Sequence, residues 1–98
     1  MLIRIVKMSF QLDKIDAFLQ HFKEHQLQIR NFEGCLYLQI LQDAQNPNVL
    51  FTYSHWQSEQ HLAAYRQSDF FMPVWKRAKS FFDAPAEAWT TTRLLELP

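Results

Sequence analysis

The chain has 98 residues with ten basic and ten acidic side chains, and it is 48% hydrophobic and 15% aromatic. A body of this length, read as one domain over residues 1–98, buries only about 60–65% of its unfolded surface, so nine Phe, three Trp and three Tyr imply apolar surface shared with a second copy in a homodimer. Charge balance argues against nucleic acid or a membrane surface as partner, and no run approaches the ~20 apolar residues of a membrane span. Arg4 and Lys7 interrupt the apolar start as no signal peptide would, so a cytoplasmic location is expected.

Residues 2–10 (LIRIVKMSF) mix β-branched and apolar side chains with two charges and read as a strand. Leu2, Val6, Met8 and Phe10 share one face and Ile3 and Ile5 the other, so both faces should be covered over part of its length. From residue 12 to residue 28 the period becomes helical. Ile15, Phe18, Leu19 and Phe22 form a stripe about 100° wide, with Asp13 and Asp16 at the start as candidate caps. Residues 31–34 hold the only glycine, Gly34, where a positive φ is expected.

Residues 35–42 (CLYLQILQ) and 49–56 (VLFTYSHW) read as a hairpin around the turn formers DAQNPN. On its second arm Val49, Phe51, Tyr53 and His55 face one way, and Leu50, Thr52, Ser54 and Trp56 the other. Ser58 caps a helix over residues 58–67, and Ser68 with Asp69 opens a further helical segment. Pro73 is tolerated near its start, Phe71, Val74, Trp75, Ala78 and Phe82 form its stripe, and Pro85 ends it. Residues 88–97 (AWTTTRLLEL) read as the last strand.

The order is β, α, β, β, α with a short added helix, then β. The fold class is therefore α+β: a ferredoxin-like βαββαβ unit with a four-stranded antiparallel sheet, its helices on one face and its other face packed on a second subunit.

Four features bear on chemistry. His21 to His25 spells HFKEH, the letters of an inverted zinc-protease motif. However, His21 lies about 60° outside the apolar stripe and no third ligand accompanies the pair, so no metal is expected. Cys35, the lone cysteine, reads as a small core residue. Arg66 lies about 40° from Leu62, where its charge requires an acceptor, either a carboxylate such as Asp69, the carbonyls at the helix end, or an anionic oxygen of a ligand. His55, near a strand end, is the candidate base, with Tyr53 as a phenol donor on the same face.

The segment FTYSHWQSEQHLAAYRQSDFF, with NFEGCLYLQIL before it and PAEAW after it, resembles the antibiotic biosynthesis monooxygenase family of dimeric α+β barrel proteins over nearly the whole chain. The resemblance implies the same ferredoxin-like fold, paired sheet to sheet in a dimer. The family includes cofactor-independent quinol and anthrone oxygenases as well as haem-degrading enzymes. By position, Trp56 matches the tryptophan near the bound aromatic in the oxygenase branch, and Tyr65, Ser68 and Phe71 match the motif's framework. The haem-degrading branch carries an asparagine on the first strand, a tryptophan on the helix and a histidine on the next helix. Here those places hold Val6 and Lys7, Tyr65, and Trp75.

The resemblance therefore implies a monooxygenase acting without cofactor on a small aromatic or quinol-like molecule. Trp56, Tyr65, Phe71 and Trp75 would bind that molecule, and His55, Tyr53 and Arg66 would supply base, phenol and cation. Because a regular strand turns His55 and Trp56 to opposite faces, at most one of them lines a given pocket. A non-catalytic module holding an apolar metabolite in the same cavity, and a dimerisation scaffold with a filled core, are the competing readings. A cavity of the order of 300 Å³ or more separates the first two readings from the third.

Overall fold

A computed structural model describes residues 1–98. Its elements are β1 (Leu2–Ser9), α1 (Ile15–Arg30), β2 (Cys35–Gln42), β3 (Val49–Trp56), α2 (Glu59–Arg66), α3 (Phe71–Lys79) and β4 (Glu87–Thr91). The four strands form one antiparallel sheet in the order β2-β3-β1-β4. This is the ferredoxin-like α+β arrangement, with α3 as the added helix before the last strand. No helix is long and apolar enough to cross a membrane.

Strand alternation decides which residues meet the helices. Leu2 and Met8 of β1 and Leu50, Ser54 and Trp56 of β3 are buried on the helix-covered face. Met8 and Leu50 join Phe10, Phe18, Ala78 and Phe81 in the larger core cluster, and Leu2 and Trp56 join Cys35 and Leu62 in a smaller one. Each fully buried side chain of this kind contributes about 1.5–3 kcal/mol. The opposite face carries Ile3, Ile5, Tyr37, Tyr53, His55 and Trp89 across four paired strands, and no helix covers it.

The joints follow local chemistry. Asp43 closes the hairpin by accepting from the backbone N–H groups of Asn46 and Gln45 at 2.8 and 3.1 Å, which holds its carboxyl below the usual range. Ser58 Oγ caps α2 by accepting from the His61 N–H at 3.2 Å, and Ser68 Oγ accepts from the Phe71 N–H at 3.1 Å as α3 begins. Gly34 has φ +90°, and its bare Cα lies against the His61 side chain.

Four expectations need correction. Helix α1 begins at Ile15 and runs to Arg30, and neither Asp13 nor Asp16 caps it through a side-chain bond. Its extra turn is held by Ile29, which is buried, and by Arg30, which donates to the Cys35 carbonyl at 2.8 Å. Helix α3 stops at Lys79, well before Pro85, because Phe82 leaves the helix to bridge Phe10. The last strand ends at Thr91 rather than at residue 97. It pairs only with β1, whose opposing residues run out at Ile3, so Leu94, Leu95 and Leu97 remain 98%, 78% and 79% exposed.

Candidate functional site

A cavity of about 680 Å³ lies between the sheet and the helices, well within the range of small-molecule sites. The reading of a filled scaffold therefore fails. All four strands floor the cavity through their inward positions: Arg4, Val6 and Met8 of β1, Leu38 of β2, Thr52, Ser54 and Trp56 of β3, and Ala88 of β4. Its lining residues Ala63, Arg66, Gln67, Met72 and Ala88 are exposed, which puts the mouth between the end of α2, the start of α3 and β4.

The wall is a run of aromatic rings. Trp56 packs on Tyr65 with centroids 4.8 Å apart, Tyr65 meets Phe71 edge-on at 4.9 Å, and Phe71 stacks on Trp75 at 6.0 Å. All four line the cavity, as does Arg66. Trp56 is 1% exposed, and its indole N–H donates to Ser54 Oγ at 3.0 Å, so it backs the wall behind Tyr65 and has no free donor for a ligand. Burial, with the Cys35 thiol nearby, pushes the Tyr65 phenol well above its ordinary value. Tyr65 is thus a protonated wall residue, unsuited to act as a base near neutral pH.

His55 and Tyr53 are not part of this cavity. The pairing of β1 with β3 is unbroken from Leu2↔Trp56 and Ile3↔His55 to Ser9↔Val49, so alternation sends Trp56 inward and His55 outward. The one register shift lies on β2, between Cys35 and Tyr37, and does not turn β3. On the open face His55 packs against Tyr37 and Tyr53 with centroids at 4.9 and 5.2 Å. Its Nε2 is enclosed without a partner, and loss of solvation, with a smaller effect from Arg93, lowers its pKa below 6.5.

Arg66 forms neither a salt bridge to Asp69 nor any other ion pair. Cys35 is buried outside the cavity, and burial raises its thiol pKa, which fits a core residue rather than a nucleophile.

The sequence reading misses two titratable cavity residues, Arg4 and His21. Arg4 could have been found by alternation, because it shares the face of Leu2, Val6 and Met8. His21 could not. It lies outside the apolar stripe, yet it is only 5% exposed, because α3 covers that side of α1 as well. Its Nε2–H donates to the Val74 carbonyl at 2.9 Å, and its ring lies 6.4 Å from that of Phe81. This bond fixes the tautomer and makes Nδ1 the lone-pair nitrogen. Nδ1 is shielded from solvent and has no partner in the protein.

The ligand atoms of His21, Glu24 and His25 do come within 4.8 Å of one another. Two of the four ring nitrogens are committed to carbonyls, since His25 Nδ1–H also donates to the His21 carbonyl at 2.9 Å, and Glu24 accepts from Gln20 at 3.3 Å on the exposed side. A cation bound there would have Nδ1 of His21, Nε2 of His25 and the Glu24 carboxylate as ligands.

Comparisons with known proteins agree with this fold. A family model described as antibiotic biosynthesis monooxygenase matches residues 1–79. No curated protein matches the chain in sequence. Among solved structures, a conserved protein from Methanosarcina mazei Go1 superposes with a TM-score of 0.85 at 24% identity, over 91% of this chain and 89% of that one. An antibiotic biosynthesis monooxygenase superposes at 0.89 with 16% identity, over 97% of this chain and 100% of that one. A cofactor-independent oxygenase from Streptomyces nogalater superposes at 0.87 with 12% identity, over 99% and 96%. At these identities the structural likeness speaks to the fold.

Proposed function

Because the chain belongs to the antibiotic biosynthesis monooxygenase family, we propose that it is a monooxygenase that needs no cofactor and oxidises a small aromatic or quinol-like molecule in the cavity between sheet and helices. The observation that carries this reading is the aromatic wall of Trp56, Tyr65, Phe71 and Trp75 around a cavity of about 680 Å³. The wall can hold a flat ring by its faces and keep water from it.

The chemistry is one that the substrate itself can drive. A quinol that loses a phenolic proton becomes electron-rich enough to pass an electron to dioxygen. One oxygen atom then enters the ring, the other leaves as water, and the quinol ends as a hydroxyquinone. The substrate supplies all the electrons, so no external reductant is required. The protein's part is to take the proton and stabilise the anion. His21 is the one histidine among the cavity residues, and in this reading it takes the proton, in place of His55, at Nδ1 once ligand entry shifts the side chains that now cover that atom. Arg66 is the cation at the mouth. Oxygen consumption measured with a panel of quinols, against the same quinols without protein, tests the reading. Uptake should exceed autoxidation for at least one quinol and fall in Trp75→Ala; uptake at the background rate throughout leaves a binding module as the better account.

The site belongs to a homodimer in this proposal. The open sheet face carries Tyr37, Tyr53, His55 and Trp89 without a helix over them, and burying such a face on a second copy hides apolar surface that a small monomer leaves wet. Sedimentation at micromolar concentration should give a dimer at pH 7.5. His55 adds a pH dependence whose sign is set by its lowered pKa. An unfolded or undocked chain takes up the proton first, so the stability contributed by neutral His55 is present above pH 6.5 and declines as pH falls below it. Thermal stability and dimer fraction should both drop between pH 7.5 and 5.5, and His55→Phe should flatten that slope. A monomer at pH 7.5, or an unchanged slope in the variant, contradicts this account.

A further inference from the structure

Two guanidinium groups meet at the cavity with nothing to neutralise them. Arg4 stands on β1, an interior strand of the sheet, between Ser54 of β3 and Thr90 of β4. It is directed into the helix-covered cavity that Val6 and Met8 also line. A charge at such a position has lost part of its hydration and needs hydrogen bonds in return. Arg4 makes one, from Nη1 to Thr90 Oγ1 at 2.7 Å, of the five that its N–H groups allow.

Its charged neighbour is of the same sign. Arg66, in the last turn of α2, lines the same cavity. Desolvation first, and the positive charge of Arg66 second, disfavour the charged form of Arg4. Neither arginine has a carboxylate partner: the chain's ion pairs are Lys7–Glu87 at 3.6 Å and Arg93–Glu96 at 3.9 Å. No Asp or Glu is among the residues that line the cavity. Holding two like charges on one cavity, with Arg4 partly desolvated, is unfavourable until an anion enters.

We propose that Arg4 and Arg66 together form a binding site for a carboxylate, so that the molecule this cavity takes is an aromatic carboxylate rather than a neutral ring. The inference rests on the functional reading above and narrows its substrate class. A planar carboxylate matches the fork of a guanidinium better than any other common anion of its charge. The position of the pair also sets the orientation. Ser54, opposite Arg4, holds the Trp56 indole, and Arg66 follows Tyr65 on its helix. A carboxylate on the two arginines therefore brings its ring to the Trp56 and Tyr65 end of the aromatic wall.

Calorimetric titration of the intact protein with 2-naphthoate and with 2-naphthamide, which share a shape and differ in charge, tests this. The carboxylate should bind about tenfold or more tightly than the amide, as a charge-assisted pair should. The preference should shrink in Arg66→Gln, an exposed position whose replacement leaves the fold intact, and vanish in Arg4→Gln/Arg66→Gln, while the affinity for the amide stays within about twofold. Circular dichroism of each variant shows whether a loss is one of folding. Equal affinity for both probes in the unmodified protein overturns the carboxylate site and leaves the aromatic cavity standing, and so does a preference that survives the double substitution. No binding of either probe overturns both.

Discussion

Substituting His21 with glutamine is expected to lower quinol oxygenation by about 10²-fold or more, the range for losing a positioned base, with the affinity for an aromatic ligand little changed. The amide N–H of glutamine can still donate toward the Val74 carbonyl that His21 Nε2 now serves at 2.9 Å, so the junction of α1 and α3 keeps its polar contact. What glutamine lacks is a lone pair able to take up a proton, the property of the shielded, unpartnered Nδ1. The loss should therefore fall on kcat. Phenylalanine at the same place removes the Val74 bond as well and should add a loss of thermal stability. If His21→Gln keeps full turnover, the proton goes to water or to the substrate itself, and His21 is only a structural bridge between the helices.

Replacing Gly34 with alanine should cost about 3 kcal/mol or more, from backbone strain and overpacking together. At φ +90° an L side chain is strained in any setting, and here an added Cβ would collide with the His61 Cβ. His61 cannot simply turn aside, since the atom in the way is its own Cβ. Its backbone and ring are both engaged with Ser58, at 3.2 and 2.6 Å. The start of α2 has to move, and with it Leu62, which packs on Trp56 and Leu2 in the smaller core cluster. For a chain of this size the melting temperature should fall by roughly 12–24 °C. A fall of only a few degrees would mean that the contact between the β2 entry and α2 yields freely. Because α2 also carries Tyr65 and Arg66, ligand affinity should decline in the folded fraction too.

These two positions differ in how far the sequence announces them. Gly34 is visible at once, being the one glycine of the chain, placed between a helix and a strand. Strands β2 and β3 match their expected bounds because both have unambiguous turn formers at their ends and partners along nearly their whole length. The aromatic wall is equally legible, since Trp56 alternates inward and Phe71 and Trp75 share a helical stripe. His21 is not legible, because a hydrophobic stripe reports only one partner surface of a helix. α1 has two: it packs on the sheet and also on α3. The end of β4 is missed for a related reason. Thr and Leu favour a strand over residues 88–97, but a strand persists only as far as a neighbour offers hydrogen-bonding groups, and β1 stops offering them at Ile3.

Local pattern thus determines the element order, the ferredoxin-like sheet and the two faces of every strand, since period and turn chemistry are properties of the chain itself. Which face holds the cavity is a property of the assembled layers. The helices cover the side of Trp56 and Arg4, and this removes His55 and Tyr53 from the pocket and brings in His21. Burial, and with it the hydrogen-bonding state of a histidine or the cost of an unpaired arginine, depends on what packs above a residue, and only the tertiary structure decides that.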